Sequence, residues 1–224
     1  MYRAIIDTEF LTVPRKAVYD FGFCIMNDKT GEIVTRARSI IAETILENDM
    51  RTAHYADKLP AYIAAIETGA ARVVSRENAR ALFLDACRAF NVSQVWAYYA
   101  MADISALNAT YDGDFLPAGM SWHCINAAAA QTICNSRNYF KFATVCGFVS
   151  DSGNVRTNAN SVGAYVLQDA NFEEEHTALA DAELEAAILF KVLRQHARMN
   201  TEPVSNAYIA CQPKFKAWRK QYNR

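Results

Sequence analysis

The chain has 224 residues, 23 basic and 24 acidic side chains, and a formal net charge of −1. That length admits one generous domain with a packed core, and the near-cancellation of charge excludes a global field that would recruit a polyanion or an anionic membrane. Asp7 arrives too soon for a signal peptide and no apolar run reaches the length of a membrane span, so the expectation is a soluble, cytoplasmic protein without a membrane partner.

In chain order, the run Ile5-Ile6-Asp7-Thr8-Glu9-Phe10 reads as a buried strand that ends in two carboxylates. Strand alternation places Asp7 and Glu9 on one face. Like charges so placed need a counter-charge, and a divalent cation is the economical one. Residues 16–27 and 32–41 are further β-prone runs, joined by a polar loop closing on Gly31, so the first three strands are expected to be antiparallel. Residues 42–58 are mixed and charged, and little regular structure is expected there. A short helix over 60–68 ends at Gly69, and Ser75 caps an amphipathic helix to about residue 90.

A fourth strand over 94–98 leads to a helix over 103–111, and a fifth strand over 122–125 leads to an alanine-rich helix over 126–134. Two β-prone runs flank Ser150-Asp151-Ser152-Gly153-Asn154, which predicts an inserted hairpin near residues 139–158. Asn160 is expected to cap a helix over 161–168, and a long helix follows over 177–198. Six dispersed cysteines without a Cys-x-x-Cys pair read as core residues. Residues 1–200 are taken as one domain. Residues 201–224 form a basic-aromatic extension on or next to it, carrying Lys214, Lys216, Arg219, Lys220 and Arg224 among Phe215, Trp218 and Tyr222. Such a tail either contacts a phosphate backbone or is a solvated face. The order of elements gives an α/β fold, a mixed sheet flanked by helices.

Two more acids stand out. Asp103 falls in the first turn of its helix, where the dipole favours a carboxylate and where Asp is commonly only a cap. Asp181 lies at helical spacing on the same face as Leu184, Ile188 and Val192, a stripe that should meet the sheet. A carboxylate there requires a metal or a satisfied network. His176 follows Glu173-Glu174-Glu175 on the preceding loop. Four carboxylates at strand and helix ends plus one histidine have the makings of a two-metal hydrolase site. His54, His123 and His196 read as surface or core histidines, and His123 with Cys124 lacks further zinc ligands.

The set Asp7-Thr8-Glu9, then Tyr98-Tyr99-Ala100-Met101-Ala102-Asp103-Ile104-Ser105-Ala106-Leu107, then His176-Thr177-Ala178-Leu179-Ala180-Asp181-Ala182 resembles the three motifs of the DEDDh 3′–5′ exonucleases. That superfamily includes proofreading exonucleases, ribonuclease T and oligoribonuclease. The resemblance covers most of residues 3–195, and its last motif is the most specific. The middle motif departs from the family, which often has Asn where this chain has Tyr99 and Phe where it has Ala102.

The resemblance implies a ribonuclease H-like, mixed five-stranded sheet. It implies that Asp7, Glu9, Asp103 and Asp181 hold two Mg²⁺ or Mn²⁺ ions, with His176 as general base. The activity implied is release of nucleoside 5′-monophosphates from single-stranded 3′ ends, DNA ahead of RNA, with a homodimer or a replication protein as a further partner. Thr8, Phe10, Tyr99 and Leu107 are the candidate substrate contacts within these motifs. Phe10 suits stacking on a terminal base as well as it suits the core. The alternatives are an exoribonuclease, or a nucleic-acid-binding accessory protein that keeps the fold without turnover.

Overall fold

A computed structural model describes residues 1–12, 15–53, 56–195 and 198–222, so His54, His196 and Arg224 lie outside the described residues. The opening apolar run becomes β1 (Tyr2–Leu11), followed by β2 (Ala17–Asn27) and β3 (Ile33–Ile41). The chain continues through α1 (Ala42–Glu47), two 3-10 turns, α2 (Leu59–Glu67) and β4 (Arg72–Val74). Then come α3 (Arg76–Ala89), β5 (Gln94–Ala97), α4 (Ala100–Thr110), β6 (Ser121–Cys124) and α5 (Ile125–Gln131). The remaining helices are α6 (Arg137–Val145), α7 (Ala159–Leu167), α8 (Ala178–Leu193) and α9 (Gln212–Tyr222).

The six strands run in the order β4-β3-β2-β1-β5-β6. The first three pair antiparallel, while β5 joins β1, β6 joins β5 and β4 joins β3 in parallel. Strand alternation divides the core in two. Ile5, Cys24, Met26 and Trp96 face α5, α6 and α8, whereas Ala4, Ile6, Phe21, Phe23 and Val95 face α3 and α4. Asp7 and Glu9 continue the Ile5 face, so both carboxylates look towards α8.

The sheet is one strand wider than expected, because β4 is a three-residue edge strand, too short to leave a periodic signal. Residues 42–58, expected to be irregular, hold α1 and the two 3-10 turns. The predicted hairpin near 139–158 is a correction. Residues 137–145 form α6, capped by Ser136 and burying Tyr139, Phe140 and Ala143, a helical spacing that overrides the β propensity of the two aromatic side chains. Only a single bridge, Val149 to Val155, survives around the turn. Asn158, not Asn160, caps α7, and α8 ends at Leu193. In α9, Phe215 is fully buried and its ring lies 5.2 Å from Phe140, which uses part of the tail's aromatic content for packing.

Two local features seat α8 on the sheet. Gly22 pairs with Asp7 across the ladder, and a Cβ there would stand 2.2 Å from the Ala178 carbonyl carbon and 2.3 Å from the Leu179 nitrogen. Only a residue without a side chain lets the first turn of α8 approach this closely. Beside it, fully buried Asp20 accepts from Arg38 (Nε 3.0 and 3.1 Å, Nη2 2.8 Å), from the Tyr62 hydroxyl (2.9 Å) and from the Ala178 amide (3.2 Å). One carboxylate thereby ties β2 to β3, α2 and the start of α8. Gly22→Ala is expected to lower unfolding stability by about 2 kcal/mol, the scale of overpacking in a tight core, read from urea-denaturation midpoints. An unchanged midpoint would mean that α8 is not held at this distance.

Candidate active site

Three segments converge on a cavity of about 250 Å³ at the end of β1. Strand β1 brings Asp7, Thr8, Glu9 and Phe10, the β5–α4 junction brings Tyr98, Tyr99, Ala102 and Asp103, and the last motif brings His176 and Asp181. Asn158 and Ala159 close it from the start of α7, and Glu174 and Glu185 add two further carboxylates. All five residues singled out for catalysis therefore line one cavity. Single ligand atoms from Glu9, His176 and Asp181 lie within 4.8 Å of one another.

Each acid has a local reason for its place. Helix α4 starts at Ala100, three residues before the expected start, so Asp103 is inside the first turn and not a cap. There it is buried and accepts from the Thr8 hydroxyl at 2.7 Å, a bond that ties α4 to β1. Asp181 lies in the first turn of α8 and accepts from the His176 backbone amide, which joins the two ends of the last motif. His176 itself sits at φ 54°, a left-handed conformation that is uncommon for a side-chain-bearing residue. Lys58 donates to the Glu175 carbonyl just before it, and its charge lies close enough to favour ionisation of Glu9 and Asp181.

Phe10 borders the cavity while packing against the α3–α4 side of the core, and the Lys16 ammonium stands 5.5 Å from its ring centre. Tyr99 is 48% exposed at the cavity wall. Tyr98 is core: its hydroxyl donates to the Thr157 carbonyl at 2.7 Å. Leu107 does not reach the cavity, because α4 turns it into the α3–α4 core, where it is 1% exposed. His123 lies away from the site, stacked on Trp96.

Glu185 escaped the reading of the sequence. It is 3% exposed and accepts from the Tyr98 amide at 3.1 Å. Its signal was present, since residue 185 is one helical turn beyond Asp181 on the stripe that continues to Ile188 and Val192. Asp20 was missed for another reason: its partners come from residues distant in sequence.

The crowding sets the electrostatics. Burial first, then neighbouring carboxylates, pushes Glu9 up to about 8. Burial raises Asp103 to about 7 despite the Thr8 hydrogen bond, and Asp181 to about 6 despite the His176 amide. Glu174 rises to about 7 through burial and Asp181. Asp7 and Glu185 are held well above the usual carboxylate range, by desolvation and then by the surrounding acids. Without a cation, Glu9 keeps its proton near neutral pH, Asp103 and Glu174 are partly protonated there, and Asp181 is mostly ionised. The donors are hard oxygens with one imidazole, a set that suits Mg²⁺ or Mn²⁺.

No protein-family model matches the sequence. No curated protein matches it either. Solved structures do. The nuclease domain of 3′hExo, a DEDDh family member bound to rAMP, aligns with a TM-score of 0.59 at 15% identity, over 90% of this chain and 96% of that one. A 3′-exonuclease recognising the histone mRNA stem-loop aligns with a TM-score of 0.58 at 15% identity, over 92% of this chain and 68% of that one. A full-length 3′-exonuclease aligns with a TM-score of 0.60 at 16% identity, over 92% and 91%. The chain therefore has the ribonuclease H-like fold of DEDDh nuclease domains.

The raised carboxyls have a thermodynamic consequence. A carboxyl whose folded pKa exceeds its unfolded value stabilises the fold fully below the unfolded pKa, and that contribution is lost as pH rises through the folded one. For Glu174, Asp181, Asp103 and Glu9 the window runs from about pH 4 to pH 8. In EDTA, urea midpoints are expected to fall across this window, and Mn²⁺ is expected to restore them most at its upper end. A midpoint that stays level or rises with pH in EDTA would contradict the crowding.

Proposed function

We propose that the chain is a metal-dependent 3′–5′ exonuclease that removes nucleoside 5′-monophosphates from single-stranded 3′ ends. The observation that carries this reading is the convergence of Asp7, Glu9, Asp103, His176 and Asp181 on one cavity, in a fold shared with DEDDh nuclease domains. Asp7, Glu9, Asp103 and Asp181 would hold two Mg²⁺ or Mn²⁺ ions. The chemistry such ions would supply there is activation of a water and neutralisation of charge on the scissile phosphate. His176, on the same cavity wall, would accept the water's proton on an imidazole nitrogen as general base. Thr8 keeps the Asp103 carboxylate oriented, and Phe10, which lines the same cavity, would border the terminal base.

A second reading is an exoribonuclease. The neighbours named for rAMP and for histone mRNA favour it, while the sequence resemblance placed DNA first. The test is a panel of 5′-labelled single-stranded DNA and RNA with Mg²⁺ and with Mn²⁺. Wild-type chain is expected to give a ladder shortening stepwise from the 3′ end. Asp103→Asn and His176→Ala are each expected to lower kcat by at least about 100-fold, with circular dichroism unchanged. Stepwise cleavage that survives both changes rejects the mechanism. Binding without any cleavage by the wild type would leave an accessory nucleic-acid-binding protein.

A further inference from the structure

A second concavity of about 410 Å³ adjoins the carboxylate cavity, and the two share Tyr99 and Asn158. Its other walls include Arg156, Tyr208 and Asn154, from the loop after α6 and the 3-10 turn before α9. Those segments lie outside the three motifs. Tyr99 and Tyr208 are 48% and 42% exposed, which leaves both rings open to a stacking partner. Arg156 is exposed, and its guanidinium enters no ion pair among the described residues. Arg219 of α9 approaches the same loop at Gly153.

The groove is rigid from below. Gln212, buried at the start of α9, accepts from the Val155 amide at 2.9 Å and donates to its carbonyl at 2.9 Å. The Thr157 carbonyl accepts from Tyr98 at 2.7 Å and from Asn126 at 2.6 Å. Exposed aromatic and basic groups thus stand on a fixed floor, which lowers the ordering cost of binding.

Charge decides which way a strand can leave the carboxylate cavity. The concavity that shares Asp181 is lined by Glu173, Glu175 and Glu183, and would repel a phosphodiester backbone. The direction over Tyr99 meets Arg156. We propose that this groove binds the nucleotides immediately 5′ of the residue being removed, with bases stacked on Tyr99 and Tyr208 and a backbone phosphate paired with Arg156. The proposal rests on the exonuclease reading of the adjoining cavity.

The test uses the full chain and a 5′-fluorescein-labelled single-stranded hexanucleotide, followed by fluorescence anisotropy with Ca²⁺. The Arg156→Ala/Tyr208→Ala double variant is expected to bind at least about tenfold more weakly than wild type, the scale of one lost stacking platform and one lost phosphate contact. Glu173→Gln/Glu183→Gln is expected to bind no more weakly than wild type. Equal binding by wild type and the Arg156/Tyr208 variant, or no binding by wild type, overturns the proposal. Cleavage of the same oligonucleotide with Mn²⁺ judges the exonuclease reading separately. Binding lost in the double variant without mononucleotide release from wild type retires that reading and leaves the groove. Release from wild type with binding equal in both retires the groove alone.

Discussion

Like charge, forced together at the end of β1, is the constraint that organises this molecule. Asp7 and Glu9 project from a strand whose preceding residues are fully buried, and Asp103, Asp181, Glu174 and Glu185 arrive from two helices and a loop. Each acid raises the proton affinity of the next, and burial removes the water that would relieve them. Such a cluster is tolerable in two states only, protonated or occupied by cations. Stability, metal affinity and chemistry in this chain are therefore different readings of one electrostatic problem.

The frame that imposes the crowding is built from apolar and neutralised parts. Phe21, Phe23, Phe83 and Phe115 pack edge to face on the side of the sheet away from the acids, which fixes β2. On the acidic side, Gly22 lets α8 approach the backbone, and Asp20 spends its charge on Arg38, Tyr62 and the Ala178 amide. Asp20 is thus an acid beside the site that carries its own cation. Glu9, directly opposite it in the ladder, is paired with no arginine among the described residues.

How much of this could be read from the sequence depended on the range of the interaction. Asp7 and Glu9 were legible because strand alternation is local, and Asp181 because its neighbours in the helix are apolar. Their meeting with Asp103 and His176 came from the motif resemblance, since no spacing rule brings residues 7, 103 and 181 together. Misreadings arose where tertiary packing overrode propensity. Tyr139 and Phe140 favour a strand by type yet lie in a helix, where Phe140 packs on Phe215 and Trp218 and Tyr139 on Tyr165. Leu107 sits in the middle motif yet points into the core, because α4 begins before the aspartate that identifies it.

The most direct test of the account is calorimetric titration of the metal-free chain with Mn²⁺ at pH 7, in two buffers of different protonation enthalpy. Carboxyls that hold protons in the absence of a cation must release them when one binds. The account predicts saturable Mn²⁺ binding whose heat differs between the buffers, with net proton release, and loss of that signal in Asp7→Ala. Heats that are the same in both buffers, or no uptake of Mn²⁺ by the wild type, would contradict it.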